Sequence, residues 1–359
     1  MQKNNTAVQA GKPNKLADWP IRTLILSMGM PMVLSMVLQA VYNIVDTIFV
    51  SHMENGATAV LALTDSYSIQ LLIVAVGVGT GIGINALLSK TLGERNFEKA
   101  SCIAGNGIFL AVCIYAVFLL FGIFGTRAFI GMQANGNALR QEMGEQYLRI
   151  CCIGSFGSIG YTVYERFLQG TGRTNLSTIA QITGALLNII LDPIMILAMG
   201  MGVKGAAIAT SIGNTVATLF YLIYLKVSRT MLSPNPKHFT MKGGIFSGVF
   251  SIGVPMFFTN VLMSLSNLVL NRLLNNIDVL ATGGMGIAMK ANMLVVFIQL
   301  GIGIGIQPLV GFHYGARNFT KMTKVVRFSM VCTLVLGLIL TALYFLFTEP
   351  VISIFMTSG

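Results

Sequence analysis

Charged residues are scarce in this sequence, and acidic ones are the scarcest. Only 10% of the 359 residues are charged, with 12 aspartates and glutamates against 23 lysines and arginines. With 54% hydrophobic residues and a mean hydropathy of +0.76, the chain lacks the polar surface of a water-soluble globular protein. The five cysteines have no metal-ligand spacing, and no P-loop, metalloprotease or hydrolase motif occurs. We therefore expect neither enzymatic activity nor a bound cofactor or resident metal.

Long apolar segments are what the sequence has in place of charge. A helix that crosses a bilayer needs about 20 apolar residues. Nine segments reach this length, at residues 23–50, 61–88, 101–125, 146–169, 175–199, 204–226, 246–273, 282–311 and 326–347. The sequence thus predicts an all-α integral membrane protein with about nine helices, whose first partner is the lipid bilayer.

The basic residues indicate how these helices are oriented. If the N-terminus lies in the cytoplasm, 17 of the 23 lysines and arginines fall in cytoplasmic segments. That bias is the positive-inside rule, so we predict a cytoplasmic N-terminus. The net charge of +11 is spread over five loops instead of one face, which argues against nucleic acid as a partner.

The chain also repeats itself. GIGINALLSKTLGERNFEKA at 81–100 returns as GIGIQPLVGFHYGARNFTKM at 303–322 with ten identical positions, and the segment at 27–45 aligns with 251–269. Six helices separate the copies, so the repeats have parallel orientation, a mark of secondary transporters. We divide the chain into a cytoplasmic N-terminal tail (1–22), a first six-helix lobe (23–228), a linker (229–245) and a partial second lobe of three helices (246–359). On this division the second lobe is incomplete, and we expect the chain to be a fragment.

Several motifs together carry a family resemblance. They are Pro31 with YNIVDTIFVSHM at 42–53, SKTLGERNFEKA at 89–100, FLQGTGRTN at 167–175, NIILDPIMIL at 188–197, GVKGAAIATSIGN at 202–214 and QPLVGFHYGARN at 307–318. In this order, within a duplicated six-helix unit, they resemble the multidrug and toxic compound extrusion (MATE) transporters. The resemblance implies a monomeric, two-lobed antiporter of the bacterial inner membrane. Such an antiporter exports small organic cations by alternating access, driven by protons or sodium ions.

Two of the acidic residues inside the apolar segments stand out, Asp46 and Asp192. An ionised carboxylate in the membrane costs about 2.5 to 3.5 kcal/mol, so each one calls for an explanation. Asp46 shares one face of the first span with three polar residues spaced seven, four and three positions before it. These residues are Gln39, Tyr42 and Asn43.

Asp192 shares a face of the fifth span with Asn188 and Gln181. Thr210 and Asn214 begin a polar stripe on the sixth span at a similar depth. Two carboxylates among amides and hydroxyls can bind a proton or a small cation, and that ion would compete with a cationic substrate for the same negative charge. The coupling ion is therefore predicted to be a proton or sodium bound at these carboxylates.

The family resemblance points to the same place. By resemblance, the cation-site positions of the first lobe are Asp46, Asn188 and Asp192, with Tyr42 and Thr210 as neighbours. The alternative is structural: Asp46 caps the first helix, and Asp192 precedes a turn at Pro193. Leu270 stands at the position of Asp46 in the second repeat, so the repeated scaffold does not require the carboxylate.

Prolines and amides provide further candidates. Pro31 and Pro255 occupy equivalent positions in the two repeats, and each is a candidate gating kink or a static bend. The candidates for lining a central cavity are Gln39, Gln181, Asn214, Asn267, Lys290 and Gln299. Amides at helical spacing also hold helix pairs together in lipid, and this interpretation stays open for them.

Two other charged features are interpreted as structural. Glu165 and Arg166 form a predicted pair at the cytoplasmic end of the fourth span. Asp65, which follows Thr64, is the predicted N-cap of the second helix.

The sequence thus favours an ion-coupled exporter of organic cations. A flippase or exporter of lipid-linked or anionic compounds is the alternative, because Lys290 and Arg272 offer positive charge, whereas the first lobe offers acidic and amide groups. A membrane protein that does not transport is a third hypothesis, and its support is the incomplete second lobe.

Overall fold

The computed structural model describes residues 15–51, 56–134, 136–227, 239–241, 243–277 and 279–348. The regular structure in these residues is helical. The helices are α1 (Lys15–Asp18), α2 (Ile21–Ser51), α3 (Gly56–Gly93), α4 (Phe97–Phe124), α5 (Thr126–Gly131), α6 (Ala138–Ile153), α7 (Ser155–Gly170), α8 (Thr174–Pro193), α9 (Val203–Val227), α10 (Ile245–Ile277), α11 (Val279–Gly315) and α12 (Phe319–Leu346). A π-helical turn, Ile194–Ala198, continues α8. The predicted all-α fold is confirmed.

Among the described residues, eight helical segments are long and apolar enough to cross a membrane. They are Ile21–Val41, Leu61–Gly93, Phe97–Phe124, Thr174–Ala198, Val203–Tyr224, Ile245–Ser266, Val295–Gly315 and Phe319–Leu346. They correspond to eight of the nine predicted spans, and the ninth differs. The span predicted at 146–169 consists of two shorter helices, α6 and α7, which meet at Gly154.

Close packing explains this break. A Cβ atom at Gly154 would collide with the Ser211 side chain of α9, and one at Gly157 would lie 2.8 Å from the backbone nitrogen of Thr215. A Cβ at Gly160 would lie 2.8 Å from Thr218. The three glycines therefore let α7 lie directly on α9, and the backbone bends at Gly154 to achieve this approach.

The helices alternate in direction, which collects one set of loops at each end of the bundle. We call one end the basic side, because it carries α1 and the loops at 94–96, 171–173 and 316–318 with their lysines and arginines. The end with residues 125–134, 136–137 and 199–202 is the opposite side. The Nζ atom of Lys321, on α12, donates a hydrogen bond of 2.7 Å to the carbonyl oxygen of Ala17, so α1 lies against this end.

The two repeats pack with the symmetry that their sequences predict. In the first repeat α2 packs against α11, and in the second α10 packs against α3. Because α2 and α10 are equivalent, and α3 and α11 are equivalent, exchanging the repeats turns one contact into the other. Helix α3 also crosses α11 directly. The parallel two-repeat architecture is therefore confirmed, while the exact lobe and linker boundaries stay predictions.

Glycines make the contacts between the repeats. A Cβ at Gly79 would lie 2.8 Å from the carbonyl oxygen of Gly253, and one at Gly305 would lie 2.6 Å from the Cα atom of Gly29. These positions are all in the half of the bundle nearer the basic side. The repeats are thus held in backbone contact in that half.

The Gly-x-Arg-Asn-Phe motif closes this contact and starts the next helix. A Cβ at Gly93 would collide with the carbonyl oxygen of Phe312, and one at Gly315 would collide with that of Lys90. Each arginine that follows has a left-handed backbone, with φ of 59° at Arg95 and 54° at Arg317.

The asparagine of the same motif caps the following helix. The Oδ1 atom of Asn96 accepts a hydrogen bond of 3.0 Å from the backbone nitrogen of Lys99, and Asn318 accepts one of 3.1 Å from Lys321. An asparagine at this position satisfies a helix N–H group that has no partner within the helix. The repeated motif is therefore a structural element, a tight crossing followed by a capped helix start.

Candidate cation site

A small polar cavity lies inside the first repeat, between α2, α7, α8 and α9. Its lining consists of Gln39, Tyr161, Gln181, Gly184, Ala185, Asn188, Thr210, Gly213, Asn214 and Ala217. The cavity volume of about 30 Å³ suits one or two water molecules or a single small ion. A drug-sized ligand needs several hundred Å³, so this cavity is large enough for water or a small ion and too small for a drug.

Two glycines bring the walls of the cavity together. A Cβ at Gly184 would lie 2.9 Å from the carbonyl oxygen of Gly213, and one at Gly213 would lie 2.7 Å from that of Gly184. Helices α8 and α9 are therefore in backbone contact at this level. One turn further along α8, this contact places the Asn188 amide beside the Thr210 hydroxyl, with 3.3 Å between Nδ2 and Oγ1.

Asp192 is fully buried next to this amide. The Nδ2 atom of Asn188 donates a hydrogen bond of 3.2 Å to Oδ1 of Asp192. Asp192 does not precede a chain reversal at Pro193, which was the structural alternative. Helix α8 includes Pro193 and continues directly into the π-helical segment Ile194–Ala198. The structure thus places Asn188, Asp192 and Thr210 together, which is the arrangement that the sequence spacing predicts.

The remaining first-repeat candidates fall into two groups. Gln39, Gln181 and Asn214 line this cavity inside the first repeat, and their place in a central cavity stays a prediction. The side chains of Tyr42, Asn43 and Asp46 lie outside the described residues. Helix α2 is continuous through position 46, so the backbone register keeps positions 39 and 46 on one face, and the role of Asp46 stays a prediction.

Sequence reasoning missed the contribution of α7. Tyr161 lines the cavity, and Ser158 accepts a hydrogen bond of 3.0 Å from Nδ2 of Asn214. Both residues belong to a stripe that continues to Glu165 and Gln169 at intervals of three or four. The signal was therefore present in the sequence as a polar helical face within an otherwise apolar segment.

Glu165 and Arg166 are both buried, and their side chains are not joined by a direct ion pair. Gln169 lies between them: its Nε2 donates to Glu165 at 2.8 Å, and its Oε1 accepts from Arg166 at 3.1 Å. Ser177 of α8 also reaches Glu165, at 3.5 Å. The salt bridges found in the described part of the chain lie elsewhere.

The prediction that Asp65 caps the second helix is wrong. Asp65 lies inside α3, nine positions after its start at Gly56, and it is buried. Its two carboxylate oxygens accept hydrogen bonds of 2.6 Å and 2.5 Å from Arg140 of α6. It therefore ties α3 to α6 on the opposite side of the bundle.

The second-repeat candidates are not part of this cavity as far as the structure describes them. The Nε2 atom of Gln299 faces α12, where a Cβ at Gly337 would lie 2.8 Å from it. The side chains of Asn267 and Lys290 lie outside the described residues. Pro31 and Pro255 lie inside α2 and α10, and their gating role stays a prediction.

Relatives of this chain are known. The multidrug export protein MepA of Staphylococcus aureus (strain NCTC 8325 / PS 47) is 24% identical over 339 residues, which are 94% of this chain and 74% of MepA. MepA of Staphylococcus haemolyticus (strain JCSC1435) is 25% identical over 334 residues, or 93% of this chain and 73% of that protein.

Solved structures share the fold. MATE in complex with MaL6 superimposes with a TM-score of 0.92 at 24% identity, covering 97% of this chain and 77% of the other. A multidrug resistance MATE family transporter of the MOP superfamily in an outward-facing conformation gives 0.90 at 25% identity, with the same coverage. A MOP superfamily transporter from Pyrococcus furiosus Vc1 (DSM3638), described as having a binding pocket of reverse polarity, gives 0.87 at 25% identity, again covering 97% and 77%.

The family itself follows from a direct match. The MatE family model matches residues 31–194 and 255–359, which is well over half of the chain. Together with the apolar helices and the two packed repeats, this match leads to one conclusion: the chain belongs to the MatE family of multi-pass membrane transporters.

Proposed function

We propose that this protein is an antiporter that exports organic cations in exchange for protons or sodium ions. The observation that carries the proposal is the buried Asp192 beside a polar cavity large enough for an ion only. The names of the relatives, which describe multidrug export, support the choice of substrate. We place the basic side in the cytoplasm of a bacterial cell, since the positive-inside rule favours it, and we propose that the protein acts as a monomer.

Antiport follows from competition for one charge. A proton or sodium ion on Asp192 removes the negative charge that attracts an organic cation, so loading the ion favours release of the substrate. Asp46 is proposed as the second carboxylate of this site. The amide of Asn188 donates a hydrogen bond to the carboxylate, and the hydroxyl of Thr210 accepts one from the same amide and so orients it.

The substrate itself requires a larger space. The repeats are in backbone contact in the half nearer the basic side, so we propose that organic cations bind between the repeats in the other half, which opens outward. The relative described as outward-facing supports this assignment of the conformation.

One observation keeps a second candidate in view. The Pyrococcus furiosus relative has a pocket described as reversed in polarity, which would suit an anionic substrate. In this chain the described cavity lining contains amides, hydroxyls and tyrosine and has no lysine or arginine. We therefore favour a cationic substrate over a lipid-linked or anionic one.

The test is efflux of ethidium from cells that express the protein, under an imposed proton gradient or an imposed sodium gradient. Asp192→Asn and Asp46→Asn are compared with wild type at equal membrane abundance, and Asp18→Asn, an exposed acid on the basic side, is the matched control. We expect efflux in wild type and Asp18→Asn and its loss in the other two variants. The gradient that drives it identifies the coupling ion.

Each other outcome removes part of the proposal. Efflux that persists in both site variants rules out these carboxylates as the coupling site. Absence of efflux in wild type under both gradients rules out ethidium-type cations and favours the anionic alternative or a protein that does not transport.

A further inference from the structure

Helix α8 carries buried polar residues near both of its ends. The buried polar residues of α8 are Thr174, Ser177, Thr178, Gln181, Asn188 and Asp192. From the first to the last is a distance of about 27 Å at 1.5 Å per residue, which is nearly the thickness of a bilayer core. In a membrane-spanning helix the apolar face meets lipid, so polar residues such as these are turned toward the protein interior.

Helix α2 runs beside these residues and adds further polar groups. Ser35 is fully buried, and Gln39 lines the cavity one turn further along. One turn in the other direction, the sulfur of Met32 lies 3.1 Å from Nε2 of Gln169. Three successive turns of α2, at Met32, Ser35 and Gln39, therefore lie along the polar side chains of α7 and α8.

Several buried oxygens on these two helices have no hydrogen-bond partner among the described residues. Among them are Oγ of Ser35, Oγ1 of Thr174, Oγ1 of Thr178 and Oε1 of Gln181. Asn85 of α3, whose backbone lies beside Gly170, has neither its amide nitrogen nor its oxygen partnered. Buried polar groups are satisfied by protein or by water. Unpartnered atoms in a continuous row thus indicate hydration along the row.

The cavity fills the widest gap in the row. Between Gln181 and Asn188 the buried face carries only Gly184 and Ala185, and these two residues line the cavity together with both amides. Near the basic end of the row, Ser177 hydrogen-bonds Gln169 at 3.2 Å and reaches the buried carboxylate of Glu165 at 3.5 Å. One carboxylate thus stands near each end.

We propose that this row is a hydrated path through the first repeat, along which the coupling cation passes from Asp192 to Glu165 and out to the basic side. We call it the α8 path and define it by Asp192, Asn188, Gln181, Thr178, Ser177 and Glu165. The inference rests on the proposed function, because it assigns a route to the ion of that antiport. A proton moves along it by transfer between waters and hydroxyls, and a sodium ion by exchange of water and side-chain oxygens. In both cases one positive charge enters and the same charge leaves.

The α8 path separates the ion from the substrate. The ion travels inside one repeat, whereas the organic cation moves between the two. The ion therefore reaches the basic side while the glycine contacts between the repeats stay closed.

The first arm of the test measures hydration without transport. X-ray radiolysis of the purified full chain generates hydroxyl radicals from water in place, and these oxidise nearby methionines. Met32 and Met28 are both fully buried on α2, but Met32 contacts Gln169 at the path, whereas Met28 packs in an apolar cluster with Leu24 and Leu309. We expect Met32 to be oxidised several times faster than Met28. Equal protection of the two methionines would overturn the proposal.

The second arm measures ion movement in proteoliposomes, as proton or sodium flux driven by an ethidium gradient. Thr178→Val removes one hydroxyl from the path with little change of shape. Thr183→Val makes the same change on the exposed face of the same helix and is the matched control. We expect Thr178→Val to slow ion flux by about tenfold, since the cation loses a hydrogen-bonding partner in its path, and Thr183→Val to match wild type.

Gln181→Leu tests a second position in case the first variant does not fold, with ethidium binding as the check of folding. Flux at the wild-type rate in a folded Thr178→Val or Gln181→Leu protein would overturn the α8 path and leave the proposed antiport intact. If wild type shows no ethidium-driven flux, the proposed function fails, and the α8 path fails with it as a route for the coupling ion. The methionine comparison then decides only whether the row is hydrated.

Discussion

The two repeats share their packing residues and differ in their polar ones. A Cβ atom at Gly93 or at Gly315 would collide with a backbone carbonyl of the opposite repeat, so both positions require glycine. By contrast, Gln39 lines the cavity of the first repeat, while Met263 at the same position of the second is 56% exposed. Packing positions such as Gly93 and Gly315 are thus duplicated, whereas the cavity-lining glutamine at position 39 occurs in one repeat only. We therefore interpret the residues that the two repeats share as structural and the polar residues found in one repeat only as functional.

The largest effect is expected where the repeats touch. Gly315→Ala places a methyl group against the carbonyl of Lys90, and backbone cannot move aside as a side chain does. We expect a loss of about 1 to 3 kcal/mol or more in stability, because overpacking of this kind strains the backbone. Gly93→Ala should have a similar effect. Both are measured as thermal unfolding in detergent, monitored by size-exclusion chromatography.

Gly303→Ala is the control for these two variants. Gly303 lies on α11 as well, but a Cβ there has no heavy atom within 4 Å. Its melting temperature should stay at the wild-type value or rise. If Gly315→Ala unfolds at the same temperature as Gly303→Ala, the crossing does not need glycine and the shared-packing account is wrong.

The caps come next in size. Asn96→Ala and Asn318→Ala each remove a hydrogen bond to the first turn of a helix, at 3.0 Å and 3.1 Å. Each should cost about 1 kcal/mol, and the two losses should be alike because the geometry is alike. The same unfolding assay measures them, with Asn→Asp at either position as the conservative control that keeps the cap. A loss at only one of the two sites would break the symmetry that we infer.

A functional exchange sharpens the comparison. Gln39→Met gives the first repeat the residue of the second, and Met263→Gln does the reverse. Gln39→Met should reduce the ethidium-driven ion flux by roughly threefold, as expected for one lost polar contact of under 1 kcal/mol. Met263→Gln should leave it unchanged. Equal effects of the two changes would show that the cavity does not belong to one repeat alone.

The smallest effect concerns the left-handed arginines. Arg95→Gly and Arg317→Gly relieve a positive φ of 59° and 54° but increase the freedom of the unfolded chain. The two terms nearly cancel, so we expect changes of a few tenths of a kcal/mol at both sites. Arg→Val at either position keeps the strain with a β-branched side chain, and its melting temperature should fall below that of the glycine variant.

The helical fold was predictable because apolar segments of bilayer length have few alternatives in lipid. The break at Gly154 was not predictable, because it depends on Ser211 of another helix, which a hydropathy pattern along one segment does not show. Asp65 was misassigned for a related reason. Its local sequence is that of a cap, while its partner Arg140 lies 75 residues away.

The site was partly predictable. The spacing of Asn188 and Asp192 placed both on one face of α8, and the depth of Thr210 on the next helix brought it to them. Tyr161 and Ser158 were not predicted as site residues. Their polar stripe on α7 is visible in the sequence, but what it contacts is determined by the packing of α7 on α9. Spacing within a helix therefore indicates a face, and only packing indicates what that face meets.

The central claim is that an ion bound at Asp192 cancels the negative charge that attracts an organic cation bound between the repeats. The most direct test is displacement of bound ethidium from the purified protein, followed by fluorescence anisotropy while protons or sodium are added. Our account predicts displacement from wild type by one of these ions and none from Asp192→Asn, which has no charge to share. Displacement that is the same in wild type and Asp192→Asn would contradict it.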